Sequence, residues 1–224
     1  KNYIGYLNYY NKLIKQRNIY LREMYINGTL SKDYLNIITE KIIDYGIKIY
    51  ETRKKYIDEI SKYISNIYLK IFENGKLEVN YNSDFSVNKK ELLKKYNSNL
   101  KKDLFLGKTT IGIHRDEFEF LLDNYLLKEY GSEGQQKNAL IAFKLAEIEV
   151  VKNIKKINPI IVFDDLSSVL DTKKIDNILS IINDDIQTFI TTSNINLINS
   201  EILKKSKIFK IENNNVEVEN YEWR

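Results

Sequence analysis

The stretch PIIVFDDLSSVLD, Pro159 to Asp171, decides the fold. Its apolar run has the length of a strand and ends in two carboxylates. That pattern predicts a central buried strand whose acids emerge at the carboxyl edge, where open α/β sheets bind ligands. Acidic residues end a buried strand at a cost unless something offsets their charge. A magnesium–phosphate pair would do so, with Asp164 holding the ion and Asp165 polarising an attacking water. The alternative reading is a pair of strand-end carboxylates that cap the next turn. After this stretch the sequence predicts a helix, a strand in QTFITT (Gln187 to Thr192) and a hairpin around Asn213–Asn215. Strand, helix, strand in that order implies a parallel α/β layer.

Upstream lies YGSEGQQKNALIAFKLAE, Tyr130 to Glu147. Gly-Ser-x-Gly is a turn that opens a helix. Ser132 can cap that helix, and the free N–H groups around Gly134 form an anion site from helix-end geometry. The helix behind it, from about Gln135 to Lys152, is apolar on most sides and is expected to be buried. An ordinary serine N-cap remains the other reading. Further upstream, FEFLL and YLLKEY flank Asp123-Asn124 and read as a β-hairpin.

The segment LFLGKTTIGIHRDE, Leu104 to Glu117, contains Gly107-Lys108-Thr109-Thr110, which looks like the end of a phosphate loop. A phosphate loop needs G-x-x-x-x-G-K-[ST] between a strand and a helix. Here Lys102 stands where the first glycine belongs, a helix precedes, and Ile-Gly-Ile-His follows with extended character. The motif is therefore a decoy, a turn followed by a strand, and no other GK[ST] occurs. His114 is the sole histidine, which excludes a histidine metal cluster. For His114-Arg115, a phosphate or DNA contact and a structural loop held by Asp116 both stay open.

Residues 1–103 read as a helical arm, with a boundary near 104. Tyr3, Leu7, Tyr10, Ile14, Arg17, Leu21 and Met24 line one seam of a first helix that ends at Asn27-Gly28. Ser31 caps a second helix expected to run from Lys32 to about Phe72, with a kink near Gly46. The two pack antiparallel, like a short coiled-coil arm. A turn at Glu73-Asn74-Gly75, a strand in KLEVNY and a third helix from about Asn88 to Asp103 complete this part.

The sequence has 224 residues, 43% of them hydrophobic, enough for one large domain or two small ones. With no cysteine, disulfides and thiolate metal sites are excluded. That lack of cysteine fits the cytoplasm; no run reaches the ~20 apolar residues of a membrane span, and no signal peptide is visible. Residues 1–100 carry 18 Lys/Arg against 11 Asp/Glu, and residues 101–224 carry 17 against 20. The first part thus suits a polyanion better than the second. A solvated lysine-rich helix surface and a DNA contact both fit it.

Taken together in order, these segments resemble the signature motif and Walker B of ABC-type ATPases, in the branch that includes SMC proteins. The close resemblance is to the RecF family. Its G-P-H-R-D-D is similar to Gly112–Glu117, with Ile113 for the proline and Glu117 for the second aspartate. Its Y-G-S-x-G-Q-Q-[RK] is similar to Tyr130–Lys137, and its L-K-L-A-E to Phe143–Glu147. The Walker B and D-loop pattern P-[IL]-L-L-L-D-D-[VL]-x-S-E-L-D matches Pro159–Asp171, with Val169 where the family has a glutamate, and Q-T-F-[IV]-T-T matches Gln187–Thr192. The opening YLNYYNKLIKQRN, Tyr6 to Asn18, is similar to the start of the family's arm.

The resemblance implies an α/β fold: an arm over 1–103 and the later part of an ABC-type ATPase lobe over 104–224. It implies that Ser132, Gly134 and Gln135 touch the γ-phosphate held by a second subunit. Asp164 would serve Mg²⁺ and Asp165 would be the catalytic carboxylate. Ser168 and Asp171 would form the D-loop, and Thr192 would take the switch position. It further implies ATP as cofactor, an ATP-dependent homodimer that clamps DNA at single-strand gaps, and work with RecO and RecR to load RecA in repair and the SOS response. The absence of a phosphate loop, with Lys1 in place of Met, points to an incomplete chain that is inactive as an ATPase by itself. The rival readings are a non-enzymatic DNA- or partner-binding module and a piece of another SMC-like ATPase.

Overall fold

A computed structural model describes residues 2–28, 31–165, 170–182, 186–213 and 215–219. Helices α1 (Tyr3–Asn27) and α2 (Lys32–Ser61) form the arm. Gly28 ends α1 at φ +66°, its N–H returning to the Met24 carbonyl, and the Ser31 hydroxyl accepts the Asp33 N–H at 3.2 Å to start α2. The helices run antiparallel: Tyr3 bonds Arg53, Tyr6 meets Tyr45, Arg17 bonds Thr39 and Tyr20 meets Tyr34.

Helix α2 stops at Ser61, short of the expected Phe72, and α3 (Ile64–Phe72) follows a turn at Lys62-Tyr63. The Ser61 hydroxyl lies within bonding distance of both the Ile57 and the Val79 carbonyls, at 2.9 and 3.2 Å, where the chain turns. The new direction lets Ile64, Ile67, Tyr68 and Ile71 bury. No break occurs at Gly46. Its missing side chain instead makes room for Phe85, whose ring would stand 2.4 Å from an added Cβ.

Strand β1 (Leu77–Asn82) pairs antiparallel with β2 (Glu117–Leu122), Leu77 opposite Leu122 and Asn82 opposite Glu117. Between them the expected single helix splits at Asn99 into α4 (Lys89–Ser98) and α5 (Leu100–Leu106). The turn at Asp123 and Asn124, φ +51° and +70°, leads into β3 (Tyr125–Leu126) on β2. The rest of YLLKEY is not strand: Leu127–Tyr130 forms helix α6, which places Leu127 in the core. The decoy motif also differs in detail from expectation. After Gly107 comes a loop and a 3-10 turn at Ile113–Arg115, and strand begins at Glu117.

Helix α7 (Glu133–Lys155) precedes β4 (Ile161–Phe163), α8 (Thr172–Ile181) and β5 (Thr188–Ile190). Strands β4 and β5 pair in parallel, Ile161 opposite Thr188 and Phe163 opposite Ile190. Helix α9 (Ser200–Lys204) and the hairpin β6 (Ile208–Glu212) with β7 (Asn215–Glu219) follow. The PIIVF strand is less covered than a central strand should be. Ile161 is buried, but Val162 is 66% exposed, as is half of Phe189 beside it. Among the described residues β5 is the one strand paired with β4, and Val162 and Phe189 leave part of the pair's apolar surface open to solvent.

Two apolar cores hold these elements. One joins α1, α2 and α4 around Tyr10, Ile42, Ile49 and Tyr96. The other joins the end of α2, α3, β1, α7 and α8 around Ile60, Ile64, Leu77, Ala142 and Ile178. No helix among the described residues is long and apolar enough to cross a membrane.

Candidate functional site

Parallel pairing brings the carboxyl ends of β4 and β5 side by side. Asp164 and Asp165 leave one strand as Thr191 and Thr192 leave the other, and the Thr191 N–H continues the ladder to the Phe163 carbonyl at 2.9 Å. The Thr191 hydroxyl donates to Asp164 Oδ1 at 2.7 Å and accepts the Asp165 N–H at 2.9 Å. One hydroxyl thus orients the first acid and fixes the backbone of the second, which sits at φ +50°. A left-handed aspartate at a strand end turns the chain sharply, and such strain is held where the surroundings over-determine it. Both carboxylates are exposed. Thr191 is the residue the sequence reading missed: the eye goes to Thr192, the last residue of QTFITT. The Thr192 hydroxyl closes a local turn, donating to the Asn194 carbonyl and accepting its N–H, each at 3.1 Å.

The other candidate element is the start of α7. The Ser132 hydroxyl accepts the Gln135 N–H at 3.2 Å, and Gln135 Oε1 accepts the Ser132 N–H at 2.9 Å. This reciprocal capping box satisfies the serine and the glutamine locally. Gln136 reaches backwards, its Nε2 donating to the Leu127 and Gly131 carbonyls at 3.1 Å each, which locks the turn onto α6. Residues 132–137 are all exposed, and a Cβ on Gly134 would meet no atom nearer than 3.9 Å. The helix end is rigid yet open, as an anion contact from a second molecule requires.

Asp171 caps α8, accepting the Lys174 N–H at 3.0 Å and pairing with the Lys174 ammonium at 2.8 Å. The lysine's bonds hold its carboxyl below the usual carboxylate range. Ser168 lies outside the described residues.

His114 and Arg115 stand in the 3-10 turn at the arm. The His114 ring is clamped, Nε2 on the Thr109 carbonyl at 3.2 Å and Nδ1 on the Tyr10 hydroxyl at 2.9 Å. A carbonyl can only accept, so Nε2 carries the proton and Tyr10 donates to Nδ1. Desolvation lowers the histidine's pKa, although part of the residue reaches solvent. The Asp116 side chain is 2% exposed and accepts from Arg53, Tyr81 and Ser83. Arg115 is exposed.

The decoy has a structural role instead. Arg17, 1% exposed, donates to Asp103 at 2.7 Å and to the Thr109 hydroxyl at 2.8 Å, and its guanidinium lies 5.2 Å from the Tyr96 ring centre. Asn18 Oδ1 accepts the Thr109 N–H at 2.7 Å. The threonine that would bind magnesium in a phosphate loop is thus consumed by the arm helix.

Among the described residues no group of three or more acidic or histidine side chains stands together to hold a metal alone. The oxygen chemistry of Asp164 suits magnesium, which binds one or two carboxylates and completes its shell with phosphates and water.

No family model matches the chain. Among curated proteins it is similar to the DNA replication and repair protein RecF of Ligilactobacillus salivarius, 32% identical over 227 residues, covering 97% of this chain and 60% of that protein. It is similar also to RecF of Clostridium botulinum, 35% identical over 221 residues, covering 96% and 60%. Among solved structures, it is similar to that of the recombination mediator protein RecF with ATPrS in the RecFOR pathway, with a TM-score of 0.81 and 28% identity over 97% of this chain and 59% of that one. The ATP form of that protein gives 0.80 and 28%. The chain spans about 60% of the length of the curated relatives it matches.

Proposed function

We propose that this chain, a homologue of RecF over 97% of its length, carries the hydrolytic acids of one ATP site and the trans-acting signature of a second in a dimerising DNA repair clamp. The observation that carries this reading is the convergence of Asp164 and Asp165 on the Thr191 hydroxyl at the carboxyl end of a parallel strand pair. Two carboxylates oriented differently by one group suit two roles. Asp164, its Oδ1 fixed by Thr191, is the ligand for Mg²⁺, which when bound would neutralise phosphate charge. Asp165 holds and polarises the attacking water, accepting its proton. Thr192 stands just past the end of the neighbouring strand as a hydroxyl that can bond a γ-phosphate but cannot act as acid or base.

Ser132, Gly134 and Gln135 supply the second half-contact. The open end of α7 offers N–H groups and helix polarity to a γ-phosphate held by another subunit. Asp171 and Ser168 are assigned to the D-loop that crosses between subunits. ATP then favours the closed dimer because it contacts both halves only there. Closure clamps DNA at a single-strand gap, hydrolysis reopens it, and the clamp works with RecO and RecR to load RecA.

A second reading, a DNA-binding module without catalysis, draws on the lack of G-x-x-x-x-G-K-[ST] in these 224 residues. Turnover separates the two. In a protein of the relatives' full length, Asp165→Asn is expected to keep ATP affinity and to lower hydrolysis at least about 100-fold. Unchanged turnover would remove Asp165 from the role and favour the second reading.

A further inference from the structure

The turn that opens α7 also presents two aromatic rings. Tyr125 on β3 and Tyr130 at the end of α6 meet edge to face, ring centres 6.2 Å apart with planes at 71°. They are 67% and 72% exposed. Single exposed tyrosines are ordinary on a protein surface, but these two are held in place. Tyr125 pairs with Leu122 across the hairpin. The segment that carries Tyr130 is anchored by Leu127 in the core and by Gln136 Nε2, which bonds the Leu127 and Gly131 carbonyls. Gly131 allows the turn to be this tight, because an added Cβ would stand 2.6 Å from Leu127 Cδ2 and 2.7 Å from its carbonyl oxygen. Tyr130 and Ser132 therefore leave a rigid turn two residues apart, with Cα atoms no more than about 7.6 Å from each other (two steps of 3.8 Å).

We propose that Tyr130, oriented by Tyr125, is a stacking face for the base of the nucleotide whose γ-phosphate meets the open end of α7. This rests on the ATPase reading, in which another subunit holds that nucleotide, and it adds a residue that reads the nucleoside. Backbone N–H groups and helix polarity recognise the charge of a phosphate alone. They do not tell a nucleotide from another polyphosphate. A triphosphate that ends at Ser132 and Gly134 carries its sugar and base along the helix end, within the reach of the Tyr130 ring. In the free subunit the exposed ring is hydrated at a cost that stacking recovers when the dimer closes. A ring already fixed against Tyr125 and a locked turn loses little freedom on stacking, which favours closure.

The test uses protein of the relatives' full length with ATP and with the triphosphate of 2-aminopurine riboside, an adenine isomer whose fluorescence falls when it stacks on an aromatic ring. Mass and fluorescence are followed together as protein concentration rises at saturating nucleotide. The parent is expected to lose fluorescence in step with dimer formation, and Tyr130→Phe to behave alike. Tyr130→Leu, which keeps apolar bulk, should bind nucleotide as a monomer with the parent's affinity and stay bright in the dimer. With ATP it should dimerise at least about fivefold more weakly, the low end for losing one base–aromatic stack. Equal ATP-driven dimerisation of Tyr130→Leu and the parent would overturn the proposal and leave the ATPase reading standing. A parent dimer without quenching, or a Tyr130→Leu dimer quenched as the parent's is, would do the same. A parent that stays monomeric with ATP would overturn both.

Discussion

Thr191 shows how one side chain can divide labour between two neighbours. Its hydroxyl donates to the Asp164 carboxylate and accepts from the Asp165 backbone, so the two acids leave the strand in different poses. The sequence made the acidic pair visible, because carboxylates after an apolar run demand an offset. Thr191 was not visible, since its role depends on the register between strands distant in sequence, Phe163 opposite Ile190. His114 gives the residue scale a pH signature. Partial desolvation favours its neutral ring, and the Tyr10 hydroxyl donates to Nδ1, which a protonated ring cannot accept. The folded pKa lies below the ordinary 6.5. Between that lowered value and 6.5 the unfolded chain binds more protons, so stability is full above this window and is lost as pH falls through it. Urea unfolding from about pH 7 to about 5.5 should show this fall, and His114→Gln should flatten it. An equal slope in the variant would place the proton uptake elsewhere.

At the scale of elements, the longer helices followed from periodicity, while the short α6 and α9 and several helix ends did not. The α1 seam was legible because Tyr3 through Met24 recur by four and three, and Gly28 marks its end. The break at Lys62 was not, because apolar spacing continues through it from Ile60 to Ile64, and the turn is fixed by contacts with β1 and α7 distant in sequence. The same limit governed GKTT. Local context excluded a phosphate loop, but that Thr109 serves Arg17 and Asn18 is a fact of tertiary packing. That pin joins α1, α5 and the following loop. Arg17→Met would leave Asp103, fully buried, without its cation. The expected loss is about 3–5 kcal/mol in chemical unfolding, the cost of stranding a buried charge. A loss within about 0.5 kcal/mol, typical of surface changes, would mean the pair is not what holds the arm to the loop.

At the scale of the molecule, the exposed face of β4 and β5 matters most. The sequence of Pro159–Phe163 calls for cover on both sides, yet Val162 and Phe189 present apolar surface. The chain spans about 60% of the length of the curated relatives, and the proposed reading places the phosphate loop that the 224 residues lack outside them. On the proposed reading, α7 offers its open end to a nucleotide bound by another subunit. Light-scattering mass of the full-length protein, with and without ATP, tests this directly when paired with Ser132→Arg, which fills the open helix end and leaves the acids untouched. The parent is expected to double in mass with ATP, while Ser132→Arg binds ATP and stays monomeric. A Ser132→Arg protein that dimerises with ATP as readily as the parent would contradict the account.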